Sequence, residues 1–493
     1  MEFVILTCYC IALFFIFLFS IGQLHLTWHY RRAWRKANQN SDTAPAAAET
    51  EPTDWPKVCV QLPIFNEKYV VERLIDCMAV LDYPADKLEI QVLDDSTDET
   101  VEITAARVEE WKSKGVNIAH VRRPERKGFK AGALEYGMHL SDAEYIAIFD
   151  ADFLPEPGFL KKTIPHFVDE GIGVVQTRWG HINRDYSMLT RLQAFGLDAH
   201  FTIEQTGRSN AGSFINFNGT AGVWRKETIL DAGGWSADTL TEDLDLSYRA
   251  QLKGWKFRFL EDVISPAELP VIMPAIKSQQ YRWNKGAAET ARKNLGKVLK
   301  SEIGFGNKVH AILHLLNSSV FLALLFAALL SIPMLFVKYY HPELQWVFNL
   351  GSIFLFGFFS IGYFYWVSSR KTMPGFSLGR YIRTFPTFLT MSMGLSLHNA
   401  LAVSEGLLGF KSPFIRTPKF NITNSKDSWK GNVYIRPQIS IMTLLEGLLA
   451  LYFIAGLVVG FMLGDYGLMF FHVMLALGFL VVFYHSVKPV RHG

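Results

Sequence analysis

Cysteine is scarce in this chain. Cys8, Cys10, Cys59 and Cys77 show no metal-ligand spacing and no disulfide framework. A cross-linked scaffold and a cysteine metal site are excluded, and the usage suits a reducing compartment. A charge of one sign is also lacking. The 49 Lys and Arg against 46 Asp and Glu leave a net +3, with the basic residues local, so nothing points to nucleic acid and no such partner is expected. The amino terminus has neither a basic leader nor a small-residue cleavage pattern, so its apolar run reads as an uncleaved anchor. No internal repeat stands out.

Long apolar runs are present instead. Residues 3–24 are uncharged and long enough to cross a hydrocarbon core of about 30 Å as a helix. Further runs lie near 309–337, 346–367, 384–408, 438–463 and 466–486. Arg31, Arg32, Arg35 and Lys36 follow the first run, and short basic flanks stay on the cytoplasmic side. The amino terminus is therefore expected outside and the next domain in the cytoplasm. The chain divides into an anchor over 1–27, a basic flank and flexible tether over 28–54, a soluble domain over 55–300 and a membrane domain over 301–493.

Within the soluble domain, residues 57–62, 88–93, 145–149 and 173–176 predict strands, and the stretch near 67–81 predicts a helix. Ser96-Thr97-Asp98-Glu99 matches a capping box opening a helix that ends at Lys114-Gly115. Short, continuously apolar strands separated by helices predict an α/β domain whose mostly parallel sheet is covered on both faces. Ligands bind such sheets beyond the carboxyl ends of the strands. Two strands end in aspartate pairs, Asp94-Asp95 and Asp150-Ala151-Asp152, so these carboxylates are expected to line one cleft.

Asp150 and Asp152 are metal candidates, because Mg²⁺ or Mn²⁺ is held by one or two carboxylates with phosphate oxygens and waters. The competing reading is a pair of turn aspartates; the second acidic strand end favours the metal. Asp94 and Asp95 can accept hydrogen bonds from the base and ribose of a nucleotide, whereas capping the next helix needs only one of them. Arg126 to Gly132 combines cations and glycines and lets Lys130 approach a phosphate, or else forms an exposed basic turn. Thr241-Glu242-Asp243 suits a general base acting on a hydroxyl. Periodicity does not rank Glu242, Asp243 and Asp245, and acidic residues also suit a helix start. Gln279, Arg282 and Trp283 supply an amide, a guanidinium for diphosphate oxygens and an indole face for a sugar ring; alone, that trio reads better as an interfacial helix.

Together and in this order, LDDSTDET (93–100), FDADF (149–153), FNGTAGVWR (217–225), TEDLDLSYRAQLKGWKF (241–257) and QQYRW (279–283) resemble the processive family-2 glycosyltransferases of the cellulose synthase and hyaluronan synthase kind. The resemblance covers nearly the whole chain and is closest to the cellulose-synthase-like mannan and glucomannan synthases. It implies a GT-A-like domain, a UDP- or GDP-hexose donor, Mg²⁺ or Mn²⁺, and inversion to a β-linked polysaccharide coupled to export. It assigns Asp94, Asp95, Lys130, Asp150, Gln279 and Arg282 to the donor, and Asp150 and Asp152 to the metal. It makes Asp243, with Glu242, catalytic and places Trp283, Asn218, Gly219 and Thr220 at the acceptor. Phe414-Ile415-Arg416-Thr417-Pro418-Lys419 resembles the gating loop F-x-V-T-x-K of cellulose synthases, with Phe414, Thr417 and Lys419 at motif positions and Arg416 in place of valine.

A non-processive lipid glycosyltransferase of the ceramide glucosyltransferase type shares the acidic motifs and Q-x-x-R-W, so a lipid acceptor is the alternative. The gating-like loop and the larger membrane part argue against it. A non-catalytic channel or scaffold would lose the carboxylates, and none is missing. The expected setting is an integral membrane protein with a cytoplasmic catalytic domain, in a bacterial inner or plasma membrane or a eukaryotic Golgi or plasma membrane. The bilayer is a partner and an accessory export or regulatory subunit is compatible; no PilZ-like domain is expected after the short basic tail.

One run is ambiguous. The 409–437 loop carries Lys411, Arg416, Lys419, Lys426, Lys430 and Arg436, which places it in the cytoplasm. Residues 384–408 contain His398, Asn399, Ser404 and Glu405, poor lipid-facing residues. That run is therefore expected to be interfacial or re-entrant, leaving five crossings. Asn317, Ser318, Ser319 and Glu446 are candidate linings of a polymer channel, or else helix–helix contacts. The aromatic run from Phe356 to Trp366 reads chiefly as packing and an interfacial belt.

Overall fold

The computed structural model describes residues 2–40, 54–424, 426–435 and 439–492. Most of the expected tether, residues 41–53, and Arg436 of the basic loop lie outside the described residues.

Seven strands form one sheet: β1 (Val58–Ile64), β2 (Leu88–Asp94), β3 (Ile118–Val121), β4 (Tyr145–Ile148), β5 (Ile172–His181), β6 (Gly222–Arg225) and β7 (Lys256–Ala267). Their order is β3-β2-β1-β4-β6-β5-β7. β1, β2, β3 and β4 are mutually parallel, β5 pairs parallel with β7, and β6 runs antiparallel between β4 and β5. Alternation along the strands sends Val58, Val60 and Leu62 into one core, while Cys59, Ile146 and Ile148 enter a second core on the other face. Both faces are thus covered, as the continuous apolar runs require.

Register positions the functional groups. Ile64 aligns with Asp94, and Gln61 aligns with Ile148, so the chain leaves β1, β2 and β4 at one edge. Antiparallel β6 starts at that same edge, with Gly222 opposite Ile148, which delivers Asn218–Gly219–Thr220 beside Asp150. The sequence pattern missed β3, β6 and β7. Two are four residues long, and β7 alternates between exposed and partly buried positions.

The expected capping box does not form. The helix starts at Thr100, whose amide is accepted by Asp98 Oδ1 at 3.0 Å. Ser96 Oγ instead accepts from Asn66 N at 2.8 Å, tying the loop after β1 to the loop after β2. A tertiary donor claims the hydroxyl before the local amide can. The stop is as expected: Gly115 adopts φ +88° just past the helix.

Five helical stretches among the described residues are long and apolar enough to cross a membrane: 2–36, 317–340, 342–372, 441–462 and 469–488. The first helix, Glu2–Asn40, runs on past the expected boundary at 27 because Leu26, Thr27 and Tyr30 are buried. Leu378–Gly394 and Ser396–Leu408 are two shorter helices outside this set. The second packs on Met273–Lys300, where Glu405 pairs with Lys285 at 2.9 Å and His398 Nε2 lies 3.0 Å from Lys277 O. Glu446, expected as a possible channel lining, is fully buried and paired with Lys277 at 2.6 Å, a contact between helices. The aromatic run also packs: Tyr365 stacks on Phe195 at 5.0 Å, and Trp366 meets Tyr381 edge-on.

Candidate active site

The carboxyl edge of the sheet opens into a cleft lined by Asp95, Lys130, Asp150, Asp152, Asn218, Gly219, Glu242, Asp243, Gln279, Arg282, Trp283, Phe414, Thr417 and Lys419. These residues come from seven separate stretches of the chain. Of the residues singled out in the sequence for this chemistry, Asp94 and Thr220 do not line it, nor does Asp245, which is fully buried and held by Arg249 at 2.8 Å and Lys293 at 3.0 Å. Asp94 turns inward at the end of β2, accepting from Ser96 N at 2.8 Å and meeting His120 Nε2 at 2.8 Å. Asp95, one residue on, faces the cleft with both oxygens on Arg123, at 2.7 and 2.6 Å. Adjacent residues leaving a strand diverge, so only one of the pair can face the site. Thr220 is buried behind it, where its Oγ1 accepts from Asp150 N at 2.9 Å and holds the start of the aspartate motif.

Lysines neutralise both metal-candidate aspartates. Lys130 Nζ lies 2.5 Å from Asp150 Oδ1, and Lys419 Nζ lies 2.7 Å from Asp152 Oδ2. Asp152 Oδ1 is buried and has no hydrogen-bond partner among the described residues. Burial works against the charge of Lys130, but Asp150 and then Glu242 outweigh it and raise its pKa. Lys130 also donates to Gly219 O at 2.9 Å, joining the helix Phe129–His139 to the turn before β6.

Glu242 and Asp243 open the helix Glu242–Leu252 and face the same cleft. Burial pushes both carboxyls up, and the Glu242 charge raises Asp243 further. Gly219 sits against this base candidate with φ +80°; a Cβ there would lie 2.9 Å from Asp243 Oδ2. Glycine is required both by the left-handed backbone and by the approach of the carboxylate.

The helix Met273–Lys300 carries Gln279, Arg282 and Trp283 into the cleft, so Trp283 is not solely an interfacial residue. Its ring lies 6.4 Å from that of Trp179 on β5, a cleft residue the sequence reading missed. Arg282 donates to Thr417 Oγ1 at 3.1 Å and lies over the Phe414 ring at 5.0 Å. Phe414 in turn stacks on Phe129 at 5.7 Å. The substituted position Arg416 pairs with Glu67 at 3.0 Å and lies over the Tyr434 ring, while Tyr434 donates to Asp98. Glu67, also missed, lies just past β1; the end of an apolar strand was the available signal. Burial raises its pKa to about 7 despite Arg416.

A parallel sheet whose carboxyl edge carries an Asp-x-Asp pair, a buried carboxylate at a facing helix start and a Gln-x-x-Arg-Trp helix defines a GT-A-like glycosyltransferase domain. Residues 56–292 match the family model described as glycosyltransferase like family 2. The chain is similar to glucomannan 4-beta-mannosyltransferase 1 of Oryza sativa subsp. japonica, at 46% identity over 264 residues, covering 52% of this chain and 51% of that protein. It is 42% identical over 287 residues to glucomannan 4-beta-mannosyltransferase 2 of Arabidopsis thaliana, covering 57% and 54%. The chain thus spans about half the length of these relatives. A solved mannosyltransferase from Pyrobaculum calidifontis, in complex with GDP-Man and Mn²⁺, superposes with TM-score 0.50 at 19% identity, covering 80% of this chain and 100% of that one. At that identity the likeness concerns the fold.

Proposed function

We propose that this chain is a membrane-bound inverting hexosyltransferase that moves mannosyl units from GDP-mannose onto a β-linked mannan or glucomannan. The observation that carries this reading is Asp243, a half-buried carboxylate in one cleft with the aspartate pair, Arg282 and Trp283. The names of the relatives and the GDP-Man bound by the Pyrobaculum protein favour mannose over other hexoses. The basic flank after the first membrane helix supports a cytoplasmic catalytic domain, from which the product would pass outward through the membrane helices.

In the reaction, Asp243 accepts the proton of the acceptor hydroxyl. The freed oxygen attacks the anomeric carbon from the face opposite the diphosphate, and the bond from that carbon to the diphosphate oxygen breaks. One displacement inverts the configuration. Lys130 and Arg282 attract the departing negative charge, and Trp283 offers its face to the acceptor sugar. Asp150 and Asp152 would hold Mg²⁺ or Mn²⁺; the unpartnered Asp152 Oδ1 and the cations already drawn to this pair fit a hard divalent ion. When bound, such an ion neutralises diphosphate charge.

The full chain in lipid nanodiscs, given labelled GDP-mannose, UDP-glucose and UDP-N-acetylglucosamine, is expected to build β-linked polymer from GDP-mannose. Exclusive use of a UDP-sugar would overturn the donor assignment, and a single sugar added to lipid would replace the polymerase by a lipid transferase. The raised Asp243 carboxyl sets the pH dependence. Protonated, it cannot accept a proton, so kcat/KM should rise with pH through an acid limb well above the ~4 of a free aspartate. A pH profile with its acid limb near ~4 would remove Asp243 as the base.

A further inference from the structure

A buried relay behind the acceptor side of the cleft is not used by the reaction as derived. The helix Met188–Ala199 passes into a π-helical turn, His200–Gln205, before resuming at Thr206–Asn210. Such turns are rare and cluster at functional sites. Here the turn brings His200 and Glu204 together, with Nδ1 2.7 Å from Oε2. The other Glu204 oxygen accepts from Gln23 Nε2 of the first membrane helix at 2.7 Å, and Arg208 Nη1 lies 3.6 Å from Oε2. Burial pushes this carboxyl up, but Arg208, His200 and Gln23 outweigh it and hold it at about 2. Glu204 is therefore an ionised acceptor, which requires a proton on His200 Nδ1.

The second nitrogen of His200 reaches Asn218 from behind the cleft wall. Nε2 lies 3.3 Å from Asn218 Oδ1, which also receives Asn216 Nδ2 at 2.7 Å; with Nδ1–H given to Glu204, Nε2 donates to that oxygen in the ring protonated on both nitrogens. The Asn218 backbone is held separately, its N–H donating to Gln176 Oε1 at 2.9 Å. With Oδ1 engaged, the Asn218 Nδ2 group has, among the described residues, a 3.5 Å contact to Asn216 O and remains a donor. Asn218 lines the cleft one residue before Gly219, which abuts Asp243. The Asn218 amide and Asp243 thus line the same cleft.

We propose that His200 is a positioning residue for acceptor binding: clamped by Glu204, it fixes the Asn218 amide so that its N–H group meets an oxygen of the terminal acceptor sugar. The first membrane helix joins the same relay through Gln23. This inference rests on the reading of the cleft as a glycosyl-transfer site, but it concerns the acceptor and not the identity of the donor sugar.

The test uses the full chain in nanodiscs. Binding of β-1,4-linked mannohexaose is followed by tryptophan fluorescence with GDP and Mn²⁺ present, GDP affinity by calorimetry, and transfer from GDP-mannose by the acceptor KM. His200→Ala is expected to weaken oligosaccharide binding and raise the acceptor KM by about five- to tenfold, the effect of one lost hydrogen bond. GDP affinity should stay within about twofold of wild type. His200→Gln, whose amide N–H can replace Nε2, should recover most of the affinity. Unchanged oligosaccharide binding in His200→Ala, a parallel loss of GDP affinity, or no recovery in His200→Gln would overturn the proposal, as would wild-type protein that binds no oligosaccharide. Wild-type protein that binds the oligosaccharide but transfers nothing from GDP-mannose would instead overturn the donor assignment, while the His200 effect on binding still decides the relay.

Discussion

Asp243→Asn is expected to lower the transfer rate by about 10²- to 10⁴-fold while donor affinity stays close to wild type. Asparagine has the same shape and can keep the 2.8 Å bond that Asp243 Oδ1 accepts from Leu244 N, so the helix start should survive. What it loses is the ability to take a proton. Glu242 lines the same cleft, and its charge is one cause of the raised Asp243 carboxyl. Glu242→Gln should therefore move the acid limb of the kcat/KM profile to lower pH, whereas Asp243→Asn should remove activity at every pH. Single-turnover transfer with calorimetric donor binding separates the two effects. An Asp243→Asn enzyme that keeps more than about a tenth of the wild-type rate would transfer the role of base to another residue.

Asp152→Asn carries the second large effect. Removing this carboxylate should weaken Mn²⁺ binding at least about 100-fold, since even groups that only support a ligand are worth 10- to 100-fold. Transfer should fall with it. Lys419→Ala provides the contrast, because Lys419 now occupies Asp152 Oδ2 at 2.7 Å. Freeing that oxygen should leave Mn²⁺ affinity equal or tighter, even where the loss of the loop contact slows turnover. Mn²⁺ titration followed by electron paramagnetic resonance, in the presence of GDP, reads both variants without relying on activity. Equal Mn²⁺ affinity in Asp152→Asn and wild type would remove Asp152 from the metal site.

The apolar strands made the sheet and its acidic edge legible, because β1, β2 and β4 are buried on both faces and show it as unbroken hydrophobic runs. β6 was hidden. It has four residues, and nothing local marks it as antiparallel, yet it delivers Asn218 and Gly219 to the cleft. Ser96 shows why local rules fail: the capping pattern is present, but Asn66, thirty residues earlier, takes the hydroxyl. Glu67, Trp179 and His200 were illegible for a similar reason. Each is an ordinary residue in its own segment and becomes part of the site, or of the relay behind it, through contacts with distant elements.

The sequence by itself determined the chemical inventory: two aspartate pairs at strand ends, an acidic helix start, a Gln-x-x-Arg-Trp segment and the apolar runs. These follow from local patterning, because hydrophobic period and residue type act over a few neighbours. Only the tertiary structure decided that Asp95 and not Asp94 faces the cleft, and that Lys419, from a loop between two membrane helices, reaches Asp152. It also turned Glu446 from a channel candidate into the partner of Lys277. Buried charges and hydrogen-bond donors must find partners wherever the fold brings them, and those partners are remote in sequence.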